Sequence, residues 1–423
     1  MNARKLALDA INNITLKNAY TNIVVNETLS KFELSNEDKS FFTALVYGTI
    51  QNLITLDYYI SPFINTKKTK PWIKNILYLS VYQLVYMELK EYAVLDEAVE
   101  LAKSKDNRIG GFVNGVLRNF IRSGKTRGFE NLDELERLSI KYSIPLWLVS
   151  YIMKDYPLEV TEKILIDSMK VKNDGVKINT LKTTKEEVIA RLTKDGIEVE
   201  DAPFVKNGII VKSPVINHPL FKEGYITMQD ISSQKVAEVI NPNEDDVIID
   251  LCSAPGGKSI NLSYLMNNKG TIYSCDIHNH KIKLLKENFR KLGITNCKPQ
   301  LISALEVANK VKEKSFDHVL ADCPCSGLGV FNHKVDLKYH ITYKAIEEVI
   351  KLQKDILEAT WNLVKVGGYY TYSTCTINKE ENELQIKAFL ERHSEFELVY
   401  EEAILPFEYE SDGFYIAKLK RVK

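Results

Sequence analysis

No apolar run in this 423-residue chain reaches the roughly 18–20 residues that a membrane-spanning helix needs, so a transmembrane role is excluded by sequence. Cysteine is absent from the first 251 residues. The six present are Cys252, Cys275, Cys297, Cys323, Cys325 and Cys375. A secreted disulfide scaffold spreads its cysteines through a small chain, so these are expected to be reduced thiols. Excess charge of either sign is also missing, with 56 Lys and Arg against 56 Asp and Glu. That excludes a generally basic coat for nucleic acid, but not local patches. The opening MNARKLALDAINNI lacks a cleavage-site pattern and has helical apolar spacing. It reads as a first helix and not a signal peptide, and a cytoplasmic location is expected. There is no internal repeat or low-complexity tract.

The length exceeds what one hydrophobic core usually serves, so two or three domains are expected. Residues 1–130 read as all-helical. Ser35 three residues before Asp38 is a helix-start signal, and Ile73, Ile76, Leu77, Ser80, Val81 and Leu84 mark one helix face. The pattern breaks over 125–145. Residues 131–230 then mix a short helix in SIPLWLVSYIMKDY, a strand in DGVKINT, a helix in TKEEVIARLTKDG and a strand in GIIVKS, which suggests a small α+β module. Residues 231–423 alternate strand and helix, from VIIDLC through TIYSCDI and FDHVLADC to YYTYSTCT. That is the signature of a doubly wound, largely parallel sheet. FELVYEE and GFYIAKL suit an antiparallel edge.

Asp250–Ser259 reads DLCSAPGGKS, whose tail looks like a phosphate-binding loop. That loop needs a glycine five residues before its Gly-Lys pair, and Cys252 stands there, which argues against a nucleoside triphosphate. In a doubly wound fold the ligand crosses the carboxyl ends of the strands. Gly256 and Gly257 let backbone approach it, and the following helix offers free N–H groups to a carboxylate. Asp276 ends the next strand, where an acid can accept both ribose hydroxyls, and Asp322 ends a later one. Singly, each acid is more often a strand-end cap. Together they point to S-adenosylmethionine, a cofactor with a ribose and no required phosphate.

Cys325, in DCPCSG, and Cys375, in YSTCT, each follow a strand and so fall at the same sheet edge. Three readings compete. Buried cysteine as a small hydrophobe suits Cys275 and Cys297, and is reasonable for Cys252 and Cys323. Zinc wants ligand pairs two to four apart, and only Cys323 and Cys325 are near each other, so no metal is expected. The third reading is a thiolate nucleophile beside a second thiol. Such a thiolate, adding to carbon 6 of cytosine, makes carbon 5 able to take a methyl group, after which a base removes the carbon 5 proton.

These motifs carry a family resemblance. LCSAPGGKS, ADCPCSG, YSTCTINKEENE, MQDISSQ and DGFYIAKL resemble signatures of the bacterial RNA cytosine-5 methyltransferases of the RsmB (Sun/Fmu) type, over nearly the whole chain. The resemblance implies a NusB-like helical RNA-binding domain at 1–130, an α+β linking module at 131–230 and a Rossmann-like methyltransferase domain at 231–423. It implies Cys375 as nucleophile, Cys325 as the residue that removes the proton, and Asp322 as a contact to the target base. Cys252, Ser253, Ala254, Pro255, Gly256, Gly257, Lys258, Asp276 and Asp322 would hold S-adenosylmethionine. Lys258 would also position polar groups near the base, or pair with Asp250 or Asp322. Two departures stand out. LISAL places Ser303 where the family often has an acid near the adenine, and Asn332-His333-Lys334-Val335-Asp336 replaces an arginine-rich run, keeping Asp336 and Lys338.

The implied substrate is 16S ribosomal RNA, unassembled or partly assembled, met by a monomer. Other readings are a cytosine-5 methyltransferase of transfer RNA or DNA, and a non-catalytic assembly factor. Basic stretches that suit RNA are Lys67, Lys68, Lys70 and Lys74; the run Lys103, Lys105, Arg108, Arg118, Arg122, Lys125 and Arg127; and Lys177. Taken alone, such runs are usually solvated surface.

Overall fold

In a computed structural model, which describes residues 2–423, polar caps and apolar stripes cut the N-terminal part of the chain into helices. These are α1 (Ala3–Lys17), α2 (Thr21–Lys31), α3 (Asn36–Gln51), α4 (Leu53–Ile60), α5 (Pro71–Val85), α6 (Glu91–Lys103), α7 (Ile109–Arg122), α8 (Glu134–Lys141), α9 (Leu146–Asp155) and α10 (Leu158–Ser168). Ser35 caps α3 as its spacing predicts, accepting from the Asp38 N–H at 3.1 Å. The six-residue stripe of α5 is buried throughout. Ser80 sits within it because its hydroxyl donates back to the Ile76 carbonyl at 2.7 Å, leaving no unpaired donor. The break expected over 125–145 contains α8, a correction. Asp133 caps this helix, but it is eight residues long and buries only Leu138 and Ser139, too little for a periodic signal.

Two compact units divide the chain. One holds the chain through Lys170 together with Phe331–His340, and the other holds Val171–Val330 and Ile341–Lys423. The first has its own apolar core, from Leu6 and Ile11 on α1 to Phe120 on α7.

The second unit begins with β1 (Asp174–Ile178), α11 (Lys185–Lys194), β2 (Val199–Asp201), β3 (Gly208–Val211), α12 (Pro219–Lys222) and β4 (Ile226–Met228). Its four strands form an antiparallel sheet in the order β2-β3-β1-β4. Thr184 and Glu187 close a reciprocal capping box at the start of α11.

There follow α13 (Ile231–Ile240), β5 (Val247–Asp250), α14 (Gly257–Leu265), β6 (Thr271–Asp276), α15 (Asn279–Leu292), β7 (Cys297–Leu301), β8 (Phe316–Asp322), α16 (Leu337–His340), α17 (Tyr343–Thr360), β9 (Val364–Thr374), α18 (Glu383–Arg392), β10 (Phe396–Ile404) and β11 (Phe414–Arg421). Of these, α16 lies in the segment that belongs to the helical unit. The seven strands run in the order β10-β11-β9-β8-β5-β6-β7. The five from β5 to β9 are parallel, β11 adds antiparallel to β9, and β10 adds antiparallel to β11. Apolar clusters cover both faces, as a parallel sheet requires. This is the Rossmann-like fold the alternation predicts.

The order of strands locates the site. β5 lies between β6 and β8, so the chain winds outward one way through β6 and β7 and the other way through β8 and β9. Where the winding reverses, the loops beyond the carboxyl ends part and leave a crevice. Asp250 and Asp322 are the last residues of the two strands that flank it.

Candidate active site

The loop after β5 owes its shape to glycine. Gly256 has φ +109 and ends the loop as the residue just before α14. That left-handed φ favours glycine, and a β-carbon there would also crowd Leu285 Cδ2 at 2.8 Å. Ser253 N–H donates to the Cys275 carbonyl at 2.8 Å, anchoring the loop to β6. Beneath it, Ser259 Oγ donates to Asp250 Oδ2 at 2.8 Å and lies 2.9 and 2.8 Å from the hydroxyls of Ser253 and Ser274. Asp250 is fully buried and its Oδ1 has no hydrogen-bond partner. Burial, with the charge of Asp322 adding, pushes its carboxyl up to about 6.

Lys258, the second residue of α14, points into the crevice. Its Nζ donates to Asp322 Oδ2 at 2.7 Å and to Ser233 Oγ at 3.0 Å, and lies 5.3 Å from the centre of the Phe414 ring. Of the two partners the sequence offered, the lysine pairs with Asp322. Burial works to lower the Lys258 pKa, but the Asp322 carboxylate and the nearby Cys375 sulfur raise it by more, so the ammonium is secured. Ser373 Oγ holds the other Asp322 oxygen at 2.8 Å.

Cys325 follows β8 and Cys375 follows β9. The parallel pairing of Asp322 with Ser373 puts the two loops side by side, and the sulfurs meet at 3.2 Å. Both cysteines are half-buried. The Cys325 thiol is pushed well above its ordinary value by the hydrogen bond with Cys375, then by burial and by the charges of Cys375 and Glu381. The remaining cysteines behave as small apolar groups: burial raises Cys252, Cys275, Cys297 and Cys323, Cys275 to about 12.

The other residues singled out in the sequence divide clearly. Asp276 ends β6 beside the loop, nearly buried, accepting from the His278 N–H at 2.9 Å. Ser303 begins a turn of 3-10 helix and accepts from the Leu305 N–H at 3.3 Å, so its oxygen already serves as a cap. Lys177 does not reach a surface that RNA can touch. Its side chain is 2% exposed and pairs with Glu238 at 3.4 Å, because β1 turns that face toward α13. Lys67, Lys68 and Lys70 are exposed, while Lys74 pairs with Asp57. In the second basic run Lys103, Arg108 and Lys125 are paired with Glu100, Asp106 and Glu91.

Sequence reasoning missed four contributors. Ser233 and Phe414 lie inside MQDISSQ and DGFYIAKL, stretches noticed as signatures but given no role. Ser373 and Glu381 lie beside Cys375, where the cysteine drew the attention.

The crevice suits a nucleoside ligand. Gly256 and Gly257 keep side chains off the loop, and the Asp276 carboxylate at the end of β6 supplies an acceptor. No described helix is long and apolar enough to cross a membrane. The family described as "16S rRNA methyltransferase RsmB/F" matches residues 237–420. The NusB family matches 1–122, and the ferredoxin-like domain of RsmF/B-like methyltransferases matches 144–217. A Bacillus subtilis protein named "Probable ribosomal RNA small subunit methyltransferase B" is 36% identical, covering 99% of this chain and 98% of its own. A Proteus mirabilis protein named "Ribosomal RNA small subunit methyltransferase B" is 30% identical, with 99% of each covered. The crystal structure of PH0851 superposes over 100% of this chain and 99% of its own, with TM-score 0.84 and 26% identity. A NusB domain, a ferredoxin-like module and a Rossmann-like catalytic domain follow one another along a chain matched end to end, and the protein belongs to the RsmB/F family of 16S rRNA methyltransferases.

Proposed function

We propose that the protein methylates carbon 5 of a cytosine in 16S ribosomal RNA, using S-adenosylmethionine and a covalent bond between Cys375 and carbon 6. The observation that carries this reading is the 3.2 Å approach of Cys325 and Cys375 beside the Lys258–Asp322 pair. One cysteine alone would be unremarkable. Two half-buried thiols from different strands, at the switch point of a methyltransferase fold, supply the parts that a cytosine carbon requires.

Cys252 to Lys258, Asp276, Ser303 and Asp322 would hold S-adenosylmethionine, which supplies an electrophilic methyl group on a sulfonium. The remaining chemistry belongs to the chain. The Lys258 ammonium favours negative charge on Cys375, since the coupling that raises the lysine acts equally on the thiol. As the Cys375 sulfur bonds to carbon 6, ring nitrogen 3 takes a proton that the Lys258 ammonium supplies through Asp322. Carbon 5 then carries the electron density that accepts the methyl. Cys325, as a thiolate that has passed its own proton to water, removes the carbon 5 proton; the sulfur–carbon 6 bond breaks, the 5,6 double bond returns, and ring nitrogen 3 gives its proton back to the Asp322–Lys258 pair. Cys325 must first lose its own proton, and addition makes that possible. The leading cause of its raised pKa is the hydrogen bond with Cys375, which weakens once that sulfur is a thioether.

Reaching a ring carbon requires a base outside a stacked helix. The exposed Lys67, Lys68 and Lys70 give the helical unit a cationic contact for the phosphate backbone. Bisulfite mapping of 16S RNA from cells with and without the gene tests the reading. One cytosine protected only when the gene is present is the expected result, and identical maps would overturn it.

A further inference from the structure

Glu381 is a carboxylate with no exposed surface. It lies between β9 and α18, and five donor groups from three parts of the chain converge on it. The backbone N–H of Ser326 reaches Oε2 at 2.8 Å, and the Ser326 hydroxyl reaches Oε1. Gln353, on α17, donates to Oε2 at 3.0 Å and also to the Pro324 carbonyl at 2.9 Å. Asn378 and Thr376 donate to Oε1 at 2.9 and 3.4 Å. Ser326 and Thr376 each directly follow one of the two cysteines, and their hydroxyls lie 2.8 Å apart. Even the Glu381 carbonyl is held, by the Tyr372 hydroxyl at 2.7 Å.

We propose that Glu381 is the positioning residue of the cysteine pair: it ties the Cys325 loop to the Cys375 loop and puts a negative charge on the Cys325 side, opposite Lys258. The inference rests on the two-cysteine reading and adds what sets its geometry and its polarity. Burying a carboxylate is costly unless every lone pair is used. Here that use crosses between the two loops, so the requirement to satisfy the charge fixes the distance between the sulfurs. The charges are arranged asymmetrically. Cys325 faces Cys375, Glu381 and the Tyr372 phenol, with the Gly327 N–H opposing, whereas Cys375 faces the Lys258 ammonium. The thiolate is thereby directed to Cys375 and the proton to Cys325.

Glu381→Gln tests this, because an amide of the same shape removes the charge and turns one acceptor into a donor facing other donors. The first readout needs neither RNA nor cofactor. In a Cys375→Ala background, alkylation of Cys325 by iodoacetamide is followed against pH and located by peptide mass. Glu381→Gln is expected to move the midpoint down by about one pH unit, the effect of losing a near like charge. The second readout is methylation of 16S RNA, where kcat is expected to fall at least tenfold with KM for RNA unchanged. Should Glu381→Gln not fold, Ser326→Ala removes two hydroxyl contacts and keeps the charge. It is expected to lower kcat about tenfold, leaving KM and the alkylation midpoint in place. An unmoved midpoint in Glu381→Gln, or wild-type kcat in both variants, overturns the proposal. Absence of methylation by the wild type would instead overturn the function, and the alkylation result would still judge Glu381.

Discussion

A single buried carboxyl ties the stability of the fold to pH. Asp250 has no exposed surface, one oxygen bonded to Ser259 and the other with no partner. Its folded pKa is raised from 3.8 to about 6, so the folded chain keeps a proton that the unfolded chain has lost. This contribution is fully present below the unfolded value and disappears as pH rises through about 6. Asp250→Asn is therefore expected to reduce the loss of unfolding free energy between pH 4 and 7 by roughly 2 kcal/mol. Urea unfolding at the two pH values measures it, and an unchanged difference would contradict the assignment. The sequence marked Asp250 as a strand-end acid near the ligand. It did not show which acid Lys258 meets, because two strands and a helix must be placed before a 2.7 Å contact to Asp322 has meaning. Glu381 was illegible for the same reason: its partners span residues 326–378.

Elements whose own periodicity carries them were legible. The stripe of α5, the capping of α3 and the strand–helix alternation after residue 231 are local patterns, and the structure repeats them. The return of Phe331–His340 to the helical unit is not local and left no trace in the pattern. Its anchors are Val335 in the helical core, Asp336 accepting from the Thr21 N–H at 3.1 Å, and Lys338 donating to the Gln51 carbonyl at 2.8 Å. Lys338 is 1% exposed, and burial lowers its pKa from 10.5 to about 7. A depressed lysine favours the neutral form on folding. Its contribution is complete above the unfolded value and is lost as pH falls toward 7. Between pH 7 and 9 the wild type should therefore gain about 1.4 kcal/mol per pH unit from this group. Lys338→Met is expected to remove that slope while keeping the segment's anchor through Val335. Chemical unfolding of both proteins at pH 7 and 9 provides the measurement, and parallel pH dependences would show that Lys338 is charged in the fold.

At the scale of the whole molecule, zero net charge concealed a division of labour. The loop before α5 in the helical unit carries the exposed Lys67, Lys68 and Lys70, and the Rossmann-like unit brings Cys325 and Cys375 to the carboxyl edge of its sheet. The candidate site draws on the starts of α13 and α14 and the ends of β5, β8 and β9, so no short window contains it. Five signature stretches announced the family from sequence because each supplies one piece of that edge. Their joint geometry needed the strand order, which reverses beside β5. The account stands on the separate duties of two sulfurs. The direct measurement is denaturing electrophoresis of protein mixed with 16S RNA and S-adenosylmethionine. Cys325→Ala is predicted to give an RNA–protein band that survives denaturation, and Cys375→Ala is predicted to give neither band nor methylation. A band in Cys375→Ala, or methylation at the wild-type rate without that sulfur, would contradict it.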